Sequence, residues 1–331
     1  MTEFQQLTVD IEALRASAKI PGMAVAIVKD NYIVYSEGFG QHEGVLFSPE
    51  TPVEVASLSK PVFAYTVLKM CELGVLGLDQ PLSDYLPQPY APDEMGFSLI
   101  TARHTLSHSS GLPNWRDADG LRPLFIPGSA FTYSTEGLIY LQTVIEHLSG
   151  QPFHEYVQSH LFKPFGMNHS QFLPADMRGF PDYLPRHLYS IGGVSLQTSA
   201  ADYGRFLIRM MDNEAADEFH LSESSRNEML RPHIQVGDWD TLAWGMGWGL
   251  EQMEDGRNSF WHWGQRQALT RNFAFGLPAQ KLAIVILTNH VDDLSICEPI
   301  LQKITGRQQS LAAFKWLLPP KQWRGDGRKT I

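Results

Sequence analysis

The chain is poor in cysteine, with 2 in 331 residues. Cys71 and Cys297 lie far apart in stretches of helical pattern, so a disulfide framework is excluded as an organising device and two buried thiols are expected. Long apolar runs are also missing. The longest covers about six residues, Leu282 to Leu287, against the roughly 20 needed to cross a bilayer. No membrane span is therefore expected. The first residues, M-T-E-F-Q-Q-L-T-V-D, lack a basic stretch followed by an apolar one, so no secretory signal is read there and a cytoplasmic location is expected. Basic residues are in deficit: Lys and Arg number 26 and Asp and Glu 36, a formal charge of −10. Such a surface repels phosphate backbones, and nucleic acid is not an expected partner. Internal repeats, low-complexity tracts and Gly/Ser linkers are absent.

What remains is ordinary globular material. Hydrophobic residues make up 43% and charged residues 19%, with 27 Gly and 21 Pro, which excludes a disordered, collagenous or coiled-coil chain. At about 150 residues per domain, the length allows two domains or one large one.

The β-rich parts lie at the two ends. Met23 to Lys29 and Tyr32 to Gly40 flank Asp30-Asn31 and read as a hairpin. Ala243 to Leu250, Ser259 to Trp263, Thr270 to Phe275 and Leu282 to Thr288 read as strands joined by short turns such as Gly276 to Gln280. Amphipathic helical spacing covers Leu7 to Ala18, Val62 to Leu73, Gly137 to Leu148, Phe153 to Phe162 and Ala200 to Met211. The expected fold class is α+β: an antiparallel sheet made from both termini, flanked by helices, with a mostly helical part packed against it. The whole chain, residues 1–331, then forms one catalytic domain, with a sheet-containing subdomain (1–55 and 236–331) and a helical one (56–235). The basic tail from Lys321, with Arg324, Arg328 and Lys329 against Asp326, reads as a solvated terminus.

One segment, V-A-S-L-S-K-P-V-F-A-Y-T-V-L-K-M, sets Ser57 three residues before Lys60 and places Pro61 directly after. Proline fits a helix only in its first turn, so Pro61 puts the helix start close to Ser57. The hydroxyl then sits where backbone N–H groups can bind an oxyanion, and the Lys60 amine lies one turn along on the same face. Partial burial would lower the amine's pKa and let it take the serine proton. Alone, S-x-x-K is a weak pattern, and a helix-capping serine with a solvated lysine is its plainer reading. Two further elements are P-G-S-A-F-T-Y-S-T-E-G-L, where Tyr133 precedes a helix opening near Ser134 or Thr135, and S-F-W-H-W-G-Q, where an apolar strand ends in His262, Trp263 and Gly264. A core tyrosine and a strand-end histidine are the plain readings of these two.

Taken in order, Ser57-x-x-Lys60, Tyr133-Ser134-Thr135 and His262-Trp263-Gly264 resemble the three active-site elements of the serine β-lactamase and penicillin-binding-protein superfamily. The pattern is nearest to the branch with class C β-lactamases, D-aminopeptidases, D-Ala-D-Ala carboxypeptidases and family VIII carboxylesterases. R-H-T-L-S-H-S-S-G-L-P (103–113), Y-S-I-G-G-V-S-L-Q-T-S-A-A-D-Y-G-R-F (189–206) and V-I-L-T-N (285–289) are similar to that branch too, so the resemblance runs from about residue 8 to 305. It implies an α/β sandwich of the β-lactamase/transpeptidase type and a serine hydrolase. Ser57 would be the nucleophile and Lys60 its proton acceptor. Tyr133, held partly as phenolate by neighbouring cations, would carry the proton to the leaving group. The N–H groups of Ser57 and of Gln265, directly after Gly264, would form the oxyanion hole.

Two departures bear on the substrate. The second element usually ends in Asn, whose amide contacts the acylamide of β-lactams and peptides, and Thr135 stands in its place. The third often begins with Lys, where His262 is mostly neutral at pH 7 if its pKa is near 6.5. Both suit a neutral small ester better than an anionic β-lactam, so a carboxylesterase is expected, with β-lactamase or D-amino-acid peptidase activity as the alternative and a catalytically silent binding protein as a third. No cofactor or metal is expected. His104 and His108 are four apart without the glutamate of H-E-x-x-H, and neither G-x-S-x-G nor a G-x-x-x-x-G-K phosphate loop occurs. Trp115, Trp244, Trp261 and Trp263 read as pocket lining or core. The expected partner is a small ester or amide; oligomeric state is open.

Overall fold

The structure is a computed structural model. It describes residues 2–318 apart from 43, 92–95, 117–120, 175–187, 213–216, 254–255, 267–268 and 290–293. The basic tail falls outside the described residues. In chain order the first strands are β1 (Gly22–Lys29), β2 (Tyr32–His42), β3 (Val45–Leu46), β4 (Val53–Glu54), β5 (Gln171–Phe172) and β6 (Leu196–Thr198). They are followed by β7 (Ile234–Gln235), β8 (Leu242–Trp244), β9 (Gly249–Gln252), β10 (Asn258–Arg266), β11 (Thr270–Leu277) and β12 (Leu282–Thr288). The helices used below are α1 (Glu3–Ser17), α2 (Lys60–Glu72), α3 (Ala102–Leu106), α4 (Thr135–Ser149), α5 (Phe153–Val157), α6 (Ala200–Met211), α7 (Glu223–Met229), α8 (Cys297–Thr305) and α9 (Ala312–Leu317).

The main sheet has the order β3-β2-β1-β12-β11-β10-β9-β8-β7, so strands from both ends of the chain meet at the β1–β12 pair. That pair is antiparallel with Met23 opposite Thr288. The expected hairpin forms because Asp30 and Asn31 both take positive φ, 51° and 67°, as a two-residue turn with the twist of its strands demands. β1 and β12 are apolar nearly throughout because both sheet faces are covered. Ala24, Ala26 and Val28 join a core shared with α2, α4 and α6, whereas Met23, Val25 and Ile27 face one shared with α1, α8 and α9. Burying each of the larger side chains contributes about 1.5–3 kcal/mol.

Two expected elements are broken. The run Ala243 to Leu250 is two strands, β8 and β9, because Gly247 turns at φ 76°. A Cβ there would come within 2.6 Å of Ala64 on α2, so the turn brings the sheet against that helix. The Phe153 to Phe162 helix is α-helical only to Val157 and closes with a π-helical turn, Gln158–Phe162. No disulfide joins Cys71 and Cys297; the first is half-buried and the second buried. Among the described residues no helix is long and apolar enough to cross a membrane.

Candidate active site

Ser57 sits in a short 3-10 turn, Ala56–Ser59, and α2 follows at Lys60 with Pro61 in its first turn. The residue before the serine, Ala56, holds a left-handed φ of 48°, a strained conformation that an over-determined turn can maintain. Three residues of helical rise bring Lys60 Nζ to 3.0 Å from Ser57 Oγ. The amine also lies 3.0 Å from the carbonyl of Gly193, which orients it. Lys60 is 1% exposed, and burial lowers its pKa to about 7, because a desolvated ammonium is disfavoured. At neutral pH a large share of the amine therefore carries the lone pair needed to take a proton from Ser57.

Tyr133 lies over this pair, with the Lys60 amine 4.9 Å from its ring centroid. Ser134 caps α4 by accepting the Gly137 N–H, so the tyrosine is delivered from the residue just outside the helix. Its ring packs on His108 at 4.3 Å, Trp263 at 5.0 Å and Trp244 at 5.8 Å. This environment works against the partial phenolate that the resemblance implies. Burial pushes the phenol pKa above its ordinary value, and the nearby Ser57 hydroxyl offsets this only in part. Among the described residues the hydroxyl has no well-aligned hydrogen-bond partner. Burial thus favours the neutral phenol, the form that can donate a proton.

His262 is fully buried in β10. Its Nδ1–H donates to the carbonyl of Trp263 at 2.7 Å, leaving Nε2 as a buried acceptor without a partner among the described residues. Burial, with Lys60 adding to it, holds the imidazole well below its ordinary value. A titration near 6.5 is therefore replaced by a ring that is neutral throughout the physiological range. Gly264 is fixed by contact: a Cβ would fall 1.8 Å from the Val55 carbonyl and 3.0 Å from the Leu58 nitrogen. Past Trp261, β10 has no pairing with β9, and the Ser57 turn packs along that edge instead. Gln265, opposite Arg271, is exposed at the end of this edge.

Thr135 is 1% exposed, and both its hydroxyl (2.9 Å) and its N–H (3.1 Å) donate to Asn114 Oδ1. The next residue, Glu136, is fully buried and balanced by Arg116 and Tyr90. Trp244, Trp261 and Trp263 are core, the first and third forming the wall behind Tyr133, whereas Trp115 packs with Leu188 and Ile191. Ser57, Lys60, Tyr133, His262 and Gly264 are thus brought together, with Gln265 at the strand end; Thr135 is tied to Asn114. A cavity of about 500 Å³ lined by Ile234, Thr241, Glu251 and Ser259 lies at the β7–β10 end and includes none of these residues.

Gly193 and Asn114 were not singled out in the sequence, and His108 was weighed only as a possible metal ligand. Gly193 and His108 fall in stretches that resemble the superfamily and Asn114 directly follows one, but only tertiary contacts give them a task. His104 and His108 do not converge: His104 serves the cap of α3 through Thr101, and His108 Nδ1 accepts the Ser134 N–H.

The family model described as Beta-lactamase matches residues 8–295. Penicillin-binding protein 4* of Bacillus subtilis is 25% identical over 278 residues, covering 68% of this chain and 59% of that protein. Esterase EstB of Burkholderia gladioli is 30% identical over 203 residues, 51% of each chain. The chain thus spans between half and three fifths of these relatives. A solved structure titled "A class C beta-lactamase" superposes with a TM-score of 0.76 at 17% identity, over 93% of this chain and 98% of the other, and so shares the fold.

Proposed function

The chain belongs to the beta-lactamase family, and within it we propose that this protein is a serine hydrolase acting on small carboxylic esters through an acyl-enzyme on Ser57. The observation that carries the reading is the 3.0 Å approach of the Lys60 amine to the Ser57 hydroxyl, with that amine poised near neutrality by burial. Ser57 Oγ attacks the ester carbonyl as its proton passes to Lys60, and the oxyanion is met by the N–H groups of Ser57 and Gln265. On collapse, the bond to the leaving alcohol breaks. The alkoxide takes a proton from the Tyr133 phenol, which is replenished from the Lys60 ammonium. Water then enters by the reverse relay and releases the carboxylic acid.

The preference for esters rests on two features. Thr135 carries no carboxamide and its hydroxyl is held by Asn114, which disfavours recognition of an acylamide. His262 supplies no cation for a substrate carboxylate. The likeness to an esterase over half the chain supports this reading, while the likeness to a penicillin-binding protein keeps amides in the test. Purified protein is given p-nitrophenyl butyrate, a D-amino-acid p-nitroanilide and a chromogenic cephalosporin, and intact mass is read for an acyl adduct. Ester turnover above the other two, with the adduct on Ser57, is expected. Faster cephalosporin turnover would replace the esterase by a β-lactamase, and no adduct with any substrate would remove the hydrolase.

A further inference from the structure

Tyr133 is gripped from both sides by a single residue. The N–H of Thr132 donates to the carbonyl of His108 at 2.8 Å, and the N–H of Ser134 donates to His108 Nδ1 at 3.1 Å. These two bonds bracket Tyr133 in the chain, and the imidazole lies 4.3 Å from the phenol ring, centroid to centroid. His108 can turn both its carbonyl and its ring toward one segment because its backbone is left-handed, with φ 57°, a conformation uncommon outside Gly and one in which Asn, Asp and His are enriched. At 1% exposure, its two bonds meet little competition from water.

We propose that His108 is a positioning residue for the proton relay, fixing the Tyr133 phenol over Lys60 and Ser57 by holding the main chain on either side of it. The inference rests on the hydrolase reading, in which Tyr133 protonates the leaving group. The ring bond requires a lone pair on Nδ1, so the ring proton sits on Nε2. Burial, with the Lys60 amine from α2 adding to it, opposes a second proton on this imidazole, which keeps the acceptor available; His262 from β10 also faces it as a neutral ring. Trp244 closes the far side of the ring at 5.2 Å. His108 touches no reacting atom in this scheme; it acts through the tyrosine.

The test compares kcat and KM for p-nitrophenyl butyrate in wild type, His108→Gly and His108→Asn, normalised to folded protein by circular dichroism and thermal melting. Glycine keeps the left-handed backbone and the carbonyl but removes the ring acceptor. Asparagine also tolerates positive φ and returns an acceptor oxygen near the place of Nδ1. Misplacing the relay by about 1 Å predicts a kcat loss of roughly 10²-fold in His108→Gly with KM within about twofold, and recovery of at least about tenfold in His108→Asn. A folded glycine variant with wild-type kcat, a change confined to KM, or an asparagine variant no better than glycine would each overturn the proposal. Should the glycine variant fail to fold, His108→Asn is read alone: kcat within about tenfold of wild type supports the clamp, and a larger loss in folded protein sinks it. A wild type without an acyl adduct on Ser57 removes the hydrolase reading and this inference with it, whereas failure seen only in the variants bears on His108.

Discussion

The two halves of the candidate site are built in different ways. Ser57 and Lys60 belong to one continuous turn, and their 3.0 Å approach follows from helical rise and a proline that places the helix start. Tyr133, His262 and Gly264 arrive from a loop before α4 and from β10, and they meet the first half only because those elements pack on it. The chemistry divides along the same line. The local half holds the group that titrates near neutrality, whereas the assembled half consists of a phenol and imidazoles that burial keeps uncharged. The contact between Ser57 and Lys60 is thus encoded locally, whereas the burial that tunes Lys60 and the groups that face it come from tertiary contact.

Removing the nucleophile tests the local half most severely. Ser57→Ala should lower kcat for an ester by roughly 10⁴-fold or more with an unchanged melting temperature; retained turnover would assign the chemistry elsewhere. In the assembled half, Tyr133→Phe keeps the ring packing and deletes the relay, so a fall of about 10²- to 10⁴-fold in kcat is expected. A loss below threefold would show that Lys60 alone serves both protons. Gly264→Ala asks whether the two halves need their close contact. Its Cβ would fall 1.8 Å from the Val55 carbonyl, so β10 must retreat from the Ser57 turn, and displacing one oxyanion donor is worth about 10²- to 10³-fold in kcat. Wild-type rates there would mean that the oxyanion is stabilised by groups away from β10.

This division also explains what could be read from the sequence. The hairpin at Asp30-Asn31, the strand Leu282 to Thr288 and the helix Ala200 to Met211 were legible because turn chemistry and periodicity act over a few residues. Ser57 and Lys60 were legible for the same reason. The break at Gly247 was not, since an apolar run looks continuous until Ala64 on α2 demands a turn. The neutral phenol that burial favours at Tyr133 was not legible because burial is a property of the assembled core: the amine against the ring, Lys60, has its own charge opposed by burial, and the other neighbours are aromatic rings and an imidazole. Asn114 and His108 escaped because a capping carboxamide and a left-handed histidine reveal their work only when the α4 N-terminus lies against them. Thr135 shows both sides of this. Its departure from the usual asparagine was visible in the sequence, whereas its tie to Asn114 was not.

The acid limb of the rate profile follows from the local half. Activity needs neutral Lys60, and burial has lowered that group from 10.5 to about 7, so kcat/KM should rise with pH through about 7 and then level off. Below that limb it should fall about tenfold per unit. His108 and His262, held well below 6.5, should add no second step near that value. A limb near 10 in a pH–rate series would show an ordinary solvated lysine. A step near 6.5 that disappears in His262→Gln would restore a titrating role for the histidine.

The smallest effect concerns substrate choice in the assembled half. In Thr135→Asn, the backbone N–H of that position can still donate to Asn114 Oδ1. The new carboxamide N–H can take over the hydroxyl's bond, leaving its carbonyl oxygen available to a substrate amide N–H. One such neutral hydrogen bond contributes about 0.5–1.5 kcal/mol, so the ratio of cephalosporin to ester kcat/KM should rise about two- to tenfold. The ratio cancels any general loss of activity, which makes it a measure of recognition alone. An unchanged or falling ratio in a folded variant would show that the missing asparagine does not set the preference, and would move the cause to His262 and the absent cation.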